Sequence, residues 1–347
     1  MSQTITPPQL STAPHPATEP LHGFVIINKD VGDSSTQAMA KTRRLFQGKK
    51  VGHGGTLDPF ARGVLVVALG EATKTLPYIL HGDKEYEFTV QFGAATDSQD
   101  LSGRVVAENP MRPDLTAITA ILPRFTGTIM QTPPIFSALK INGERAYDLA
   151  RRGEAPAMTP RQVTIDSLAL IDQPDRDHAT FRVTCQSGLY VRTLGHDLAA
   201  ALGTVGHLTE LTRRRVGHFH LDNAFSLANL AKINYSERVA TSLLAIHGYG
   251  GGEMLARLIA VPTITIDLEQ AATIRLGKKT AFYRTSNLAQ IQKLNNTNNK
   301  LPRTQTGYTA TTDQPELDLL AIDSEKKPVG FVRYSSGLLQ PKKLFVF

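Results

Sequence analysis

The chain has one cysteine, Cys185, in 347 residues. A lone cysteine closes no internal disulfide and builds no cysteine-based zinc cluster, and it suits a reducing cytoplasm. Long apolar runs are missing too. A membrane-spanning helix needs about 18 or more consecutive apolar residues, and the longest such stretch here, 64–69, is strand-sized. Residues 1–20 carry neither the basic start nor the apolar centre of a signal peptide. They are rich in Pro, Ser and Thr and are expected to be a disordered tail. No G-x-G-x-x-G, G-x-x-x-x-G-K-[ST] or H-E-x-x-H occurs, which argues against the nucleotide and zinc enzymes those patterns mark. His218 and His220 read as strand residues, because no third metal ligand lies near them.

What is present points to a polyanion. The formal net charge is +7, a legitimate argument for an acidic partner and not for a fold. Lys41, Arg43, Arg44, Lys49 and Lys50 fall within ten residues that contain no acid, and Arg213, Arg214 and Arg215 form a second knot. Taken alone, either cluster is equally well a solvated helix face. The length exceeds one ordinary core and suits two domains plus tails.

Residues 23–28 (GFVIIN) predict a short strand, and Ser34 and Ser35 can cap a helix running to about Gln47. Residues 52–59 are a glycine-rich loop, and 64–69 read as a strand buried on both faces. Residues 84–92 alternate, with Tyr86, Phe88, Val90 and Phe92 on one face. Further strands are expected at 163–171 and 180–186, and helices at 115–122, 145–152 and 191–202. These elements show no βαβ rhythm, so the fold class is α+β with a largely antiparallel mixed sheet. A flexible link is expected at 247–257, starting with HGYGGGE. Beyond it, a small strand-rich unit is expected, with strands at 261–266, 317–322 and 329–334. Its helix starts at Asp267 with Gln270 in a capping box. Residues 286–312, rich in Asn, Gln and Thr, are expected to form a loose insertion.

The segment His53-Gly54-Gly55-Thr56-Leu57-Asp58-Pro59 carries the chemistry. Its glycines allow close backbone approach to a ligand, and Pro59 holds Asp58 extended. Asp58 can be a turn residue satisfying backbone amides. His-Gly-Gly can be an esterase oxyanion loop, but no G-x-S-x-G nucleophile elbow exists. Or Asp58 is itself a nucleophile or acid–base group.

The extent of the pattern favours the last. GHGGTLDPFARGVLVVALGEATK, residues 52–74, closely resembles the catalytic motif of the TruB-type tRNA pseudouridine synthases, bacterial form. In the family's order follow DKEYEF at 83–88, TDSQDLSG at 96–103, PPIFSALKINGERAYDLARRG at 133–153, GLYVRTLGHDL at 188–198 and HLTELTRRRVG at 207–217. The resemblance spans about residues 22–230. The C-terminal unit more weakly resembles the small RNA-binding PUA-like domain. Where the family's first motif has Pro after its lysine, this chain has Lys29-Asp30-Val31-Gly32.

The resemblance implies a tail at 1–20, a catalytic domain at 21–246, a linker at 247–257 and a β-rich PUA-like domain at 258–347. It implies isomerisation of uridine to pseudouridine at position 55, in the tRNA T-loop, by a cytoplasmic monomer. Neither cofactor, metal, membrane nor obligatory protein partner is expected. Asp58 matches the catalytic aspartate and Tyr86 the tyrosine that stacks on the target base. Tyr190 and Arg192 match the pair beside the aspartate, and Asp100 the acid that holds the arginine. His53 and Leu211 match positions lining the substrate site. Arg192 is expected to favour the charged form of Asp58. The C-terminal unit is expected to add salt-sensitive contacts to the rest of the tRNA. Two other readings stand: a guide-RNA-dependent pseudouridine synthase, and a non-catalytic RNA-binding or RNA-folding protein. Without the motif, Tyr86 reads as a core tyrosine, Arg192 as a helix-surface arginine and His53 as a turn residue.

Overall fold

The computed structural model describes residues 20–347 except 142, 155, 246–250, 260, 283–316 and 336–337. The expected tail, save Pro20, and the expected insertion at 286–312 lie outside the described residues.

The elements run β1 (Gly23–Lys29), α1 (Ser35–Leu45), β2 (Val51–His53), β3 (Arg62–Leu69), a 3-10 turn (Gly70–Thr75), α2 (Leu76–His81) and β4 (Lys84–Phe92). The hairpin β5 (Ala94–Thr96) and β6 (Val105–Glu108) follows, then α3 (Leu115–Ile121), β7 (Gly127–Gln131), the short pair β8 (Lys140–Ile141) and β9 (Glu144–Arg145), and α4 (Ala146–Arg151). Next come β10 (Arg161–Asp172), β11 (His178–Cys185), α5 (Val191–Ala201) and β12 (Gly206–Val216). Then follow β13 (Phe219–His220), β14 (Phe225–Ser226), α6 (Leu227–Leu230), α7 (Tyr235–Ser242) and β15 (Leu243–Ala245). The C-terminal part holds α8 (Gly251–Ile259), β16 (Thr263–Thr265), α9 (Leu268–Arg275), β17 (Thr280–Ala281), β18 (Leu317–Ile322), β19 (Pro328–Ser335) and β20 (Leu338–Leu344).

The large sheet has the order β14-β1-β3-β12-β4-β11-β10-β7, with β2, β13 and β15 attached. Its pairs are antiparallel except β1–β14 and β3–β12. The fold is therefore α+β with a largely antiparallel mixed sheet. A second sheet, β16-β18-β19-β20-β17, forms the β-rich C-terminal domain. Burial follows the pattern read from sequence. Seven of eight β3 residues are buried, so it lies at the centre of the sheet. In β4 each alternate residue from Lys84 to Phe92 is buried. Ser34 caps α1 in a box with Gln37, and Asp267 caps α9 in a box with Gln270.

One element carried no expectation from sequence and another departs from it. Residues 206–216 form the long strand β12, paired with both β3 and β4. Register shifts at Leu208/Glu210 and Arg213/Arg215 break its alternation, so period-two reading fails there. The linker expected at 247–257 is helical from Gly251 on. Leu255 and Ile259 of α8 are buried against Ile322, Phe331 and Phe345. Four residues apart, they share one helix face, and that apolar face folds the segment. The same core cluster takes in Phe24, Ile26, Val64 and Ile79 of the N-terminal part, so the two parts share a core.

Candidate active site

The loop between β2 and β3 carries Asp58, and remote groups pin it along its length. Gly54 N donates to Val66 O at 2.8 Å. Gly55 sits at φ 105°, a left-handed conformation that glycine adopts without strain. Leu57 N donates to Ser35 Oγ at 2.8 Å, and Ser35 Oγ donates to Leu57 O at 3.0 Å. Gly32 N and Lys29 Nζ donate to Pro59 O at 2.8 and 3.4 Å. Arg213, on β12, donates from Nη2 to Gly55 O, from Nη1 to Thr56 O and from Nε to Val64 O, at 3.1, 3.3 and 2.8 Å.

Asp58 faces Arg192, the second residue of α5. Arg192 Nε lies 2.9 Å from Asp58 Oδ2, and Nη2 donates to Oδ1 at 3.4 Å. The Nε–H makes no well-directed hydrogen bond, so that short contact is mainly ionic. Arg192 is 3% exposed, a buried guanidinium and not a helix-surface one. Its Nη1 donates to Ser98 O at 2.7 Å and its Nη2 to Phe136 O at 2.8 Å. On its other side, Nη1 lies 3.5 Å from Asp100 Oδ2. Asp100 is itself held, accepting from Ser98 Oγ at 2.8 Å and Ser102 N at 2.9 Å. The preceding Gln99 takes the unusual φ of 62°. Thr193 Oγ1 donates to its side chain and Leu208 N to its carbonyl, which holds that strained turn. Two carboxylates thus share one buried cation, and only Asp58 opens outward, its side chain 34% exposed.

Tyr86 on β4 is buried at 8%, packed in a cluster with Leu57, Phe60 and Leu211. It stands opposite Arg213 in the sheet register. Burial holds its phenol above the ordinary tyrosine value, against the pull of Arg213's charge. His53 ends β2, on the strand that leads into the Asp58 loop. Burial lowers its pKa, which favours the neutral ring. Tyr190 caps α5 through its backbone, clamped by Gln131 Oε1 at 2.9 Å and Nε2 at 3.1 Å. Its ring takes the Arg161 guanidinium 5.0 Å from its centroid.

Asp58 is raised above the ordinary carboxylate value. Burial is the main cause. Arg192 pulls the other way, as expected from sequence, and Asp100 adds to the rise. The arginine therefore does not win: desolvation leaves Asp58 more basic than a free aspartate. Lys29, fully buried, is lowered by burial while Asp33 and Asp58 pull it up.

Sequence reasoning missed three groups that hold the loop. Lys29 ends an apolar strand, and its ammonium donates to Asp33 O at 2.7 Å and Asp30 O at 2.9 Å besides Pro59. Ser34 alone caps α1, and Ser35 instead binds the loop at Leu57. Arg213 is 1% exposed and not part of a solvated basic face. Only a strand assignment for 206–216 could have shown it pointing inward. Among the described residues no His, Cys, Asp or Glu group is placed to hold a metal ion, and no helix is long and apolar enough to cross a membrane.

Comparison with known proteins places relatives beside this geometry. Residues 43–191 match the N-terminal domain of the TruB family of pseudouridylate synthases, and 192–259 match the tRNA pseudouridylate synthase B C-terminal domain. The chain is 46% identical over 255 residues to tRNA pseudouridine synthase B of Bradyrhizobium diazoefficiens, covering 74% of this chain and 71% of that one. It is 44% identical over 264 residues to the protein of that name from Agrobacterium fabrum, covering 76% and 83%. Its fold is similar to a solved Cbf5-Nop10-Gar1 complex chain, with a TM-score of 0.64 at 19% identity over 99% of this chain and 92% of that one.

Proposed function

The chain belongs to the TruB family of pseudouridylate synthases, and we propose that it converts uridine 55 in the T-loop of tRNA to pseudouridine with Asp58 as nucleophile. The observation that carries this reading is the buried Arg192 shared by Asp58 and Asp100, with Asp58 alone open to a ligand. In the reaction the N1–C1′ bond breaks, the uracil turns and C5 joins C1′. The C5 proton is lost and N1 gains one, so no electrons are transferred and no cofactor is consumed. The nucleophile must be ionised, and Arg192 stabilises its charge in a desolvated site. The base leaves its stack to reach Asp58. On this reading Tyr86 offers the flat platform. On the same reading His53 and Leu211 line the substrate site, and Tyr190 binds substrate beside Asp58. Exposed Lys41, Arg43, Arg44, Lys49 and Lys50 supply phosphate contacts, while the splayed T-loop base supplies specificity. The protein works as a cytoplasmic monomer without an obligatory partner, through a catalytic unit near 21–246 and the PUA-like domain near 258–347.

Incubating pure protein with unmodified tRNA and mapping pseudouridine tests this directly. Modification at position 55 without added RNA or protein is expected. Modification only with a guide RNA would favour the guided reading. Asp58→Asn should stay folded, bind tRNA and make no pseudouridine; turnover by that variant would remove Asp58 as nucleophile. The raised pKa adds a pH signature. Activity requires the charged form, so kcat should fall as pH drops through a value above that of free aspartate. An acid limb at or below that ordinary value would show that the charge of Arg192 outweighs desolvation at Asp58.

A further inference from the structure

Helix α2 lies between the Asp58 loop and the C-terminal domain. On the loop side, β2 and the loop are seated closely on it, and the contact has least room to give at Gly54. A Cβ at Gly54 would sit 2.7 Å from Ile79 Cγ2, and one at Gly52 would sit 2.5 Å from Leu76 Cδ1. Ile79 itself is 3% exposed. On the other side, Tyr78 stacks on Phe331 of β19, with centroids 4.4 Å apart and planes 20° apart. Burial and Asp318 of β18 push the Tyr78 phenol up to about 12, consistent with a ring covered by that domain.

Both ends of the segment are fastened. Before α2, Lys74 donates to Leu344 O and pairs with Glu71, and Val346 N donates to Glu71 Oε2 at 2.7 Å. After it, Lys84 Nζ donates to Leu80 O at 2.7 Å and Gly82 O at 2.6 Å. One core cluster includes Ile79, Val64 and Val66 together with Leu255, Ile322, Phe331 and Phe345. Packed interiors of this kind transmit displacement because little empty space is left to absorb it.

We propose that α2 is a positioning element through which the C-terminal domain holds the Asp58 loop in its working geometry, with Tyr78 and Ile79 as the positioning residues. This rests on the reading of Asp58 as the reacting carboxylate. It gives the C-terminal domain an effect on the chemical step in addition to any contact with tRNA.

Single-turnover rates and binding measured on both a T-arm hairpin and full tRNA test it, with cooperative melting as the control for folding. Phe331→Leu and Tyr78→Ala should slow the single-turnover step on the hairpin about tenfold or more, with hairpin affinity unchanged, since a 1 Å misplacement costs up to ~100-fold. Tyr78→Phe keeps the stack and should run at the wild-type rate. Gly54→Ala forces loop and helix apart and should slow the step more, about 100-fold on the same scale. Adding Ile79→Leu to Gly54→Ala takes the colliding branch off Cβ while keeping an apolar side chain between loop and domain, and should restore much of the rate. The proposal is overturned if Phe331→Leu and Tyr78→Ala keep the wild-type rate and lose only affinity for full tRNA. It is equally overturned if Ile79→Leu fails to rescue a folded Gly54→Ala protein. Failure of the Asp58 reading looks different: Asp58→Asn would then turn over while the α2 variants behaved as described.

Discussion

Two basic clusters that look alike in sequence are placed differently by the fold. Lys41, Arg43, Arg44, Lys49 and Lys50 lie on and after α1 with their side chains exposed. Arg213, Arg214 and Arg215 lie on β12 in the middle of a sheet, and the first is 1% exposed. Helix α1 puts its charges on the solvent side because Ala38 and Thr42 take the buried side. The bulge at Arg213/Arg215 divides the triplet: Arg213 turns inward and is buried, while Arg214 and Arg215 stay half-buried. Burying a guanidinium is costly unless its donors are satisfied. The fold meets that cost with the carbonyls of Val64, Thr56 and Gly55, and so turns a charge into a clasp on the Asp58 loop. Charge density alone therefore does not locate an RNA-binding face; the element that carries it decides.

The sharpest test of that contrast is Arg213→Ala. It leaves three carbonyls without their donor, each worth roughly 1–3 kcal/mol when buried. A loss of about 3 kcal/mol or more in unfolding free energy is expected, measured in urea, together with loss of turnover. The salt dependence of RNA binding by whatever remains folded should not change, because no phosphate contact is removed. Arg213→Lys should recover only part of the stability, since an ammonium lacks the planar fork that reaches both Gly55 and Thr56. A stable Arg213→Ala protein with a reduced salt slope would put Arg213 back on the RNA surface.

A smaller effect of the opposite kind is expected from Lys49→Gln combined with Lys50→Gln. Both residues are exposed. Each phosphate contact contributes about 0.7–0.9 to the slope of log K against log salt. The double variant should lower that slope by up to about 1.4–1.8 on the same basis. Its unfolding free energy should stay within ~0.5 kcal/mol of wild type. If stability drops and the slope holds, the two clusters are not different in kind.

The same contrast explains what the sequence revealed. β3 and β4 were legible because a continuous apolar run and a clean alternation are both local signals. The Asp58 segment was legible as a loop from its glycines and proline, and as a catalytic motif only from its resemblance to the family. Arg213 and Lys29 were not, because their roles are set by carbonyls far along the chain: Arg213 is more than 140 residues from Val64 and Lys29 is 30 from Pro59. Ser35 looked like part of a cap for the same reason, since its partner Leu57 is 22 residues away. The helix α8 was hidden by the glycines before and within it. Its apolar face has meaning only against Phe331 and Ile322, which come some 60 or more residues later. The direction of the Asp58 shift was also out of reach, because sequence shows the paired arginine but not how much water the fold removes.

The smallest effect is expected at Arg214, which sits between the two cases. It neighbours a buried arginine, yet its side chain is 36% exposed and lies 4.0 Å from Glu87. Glu87 already pairs with Arg182 at 3.0 Å, so it keeps a cation when Arg214 is removed. A half-exposed pair at that distance contributes about 0–1 kcal/mol at most. Arg214→Gln should therefore change unfolding free energy by less than ~0.5 kcal/mol. It should leave turnover near wild type, since the residue holds no part of the Asp58 loop. If it reaches a phosphate, the salt slope should fall by about 0.7–0.9, as for one contact. Urea unfolding and filter binding over a salt series, run beside Arg213→Ala, separate these outcomes. A stability loss at Arg214 approaching that at Arg213 would show that the triplet acts as one buried unit, and the strand argument for dividing its roles would fail.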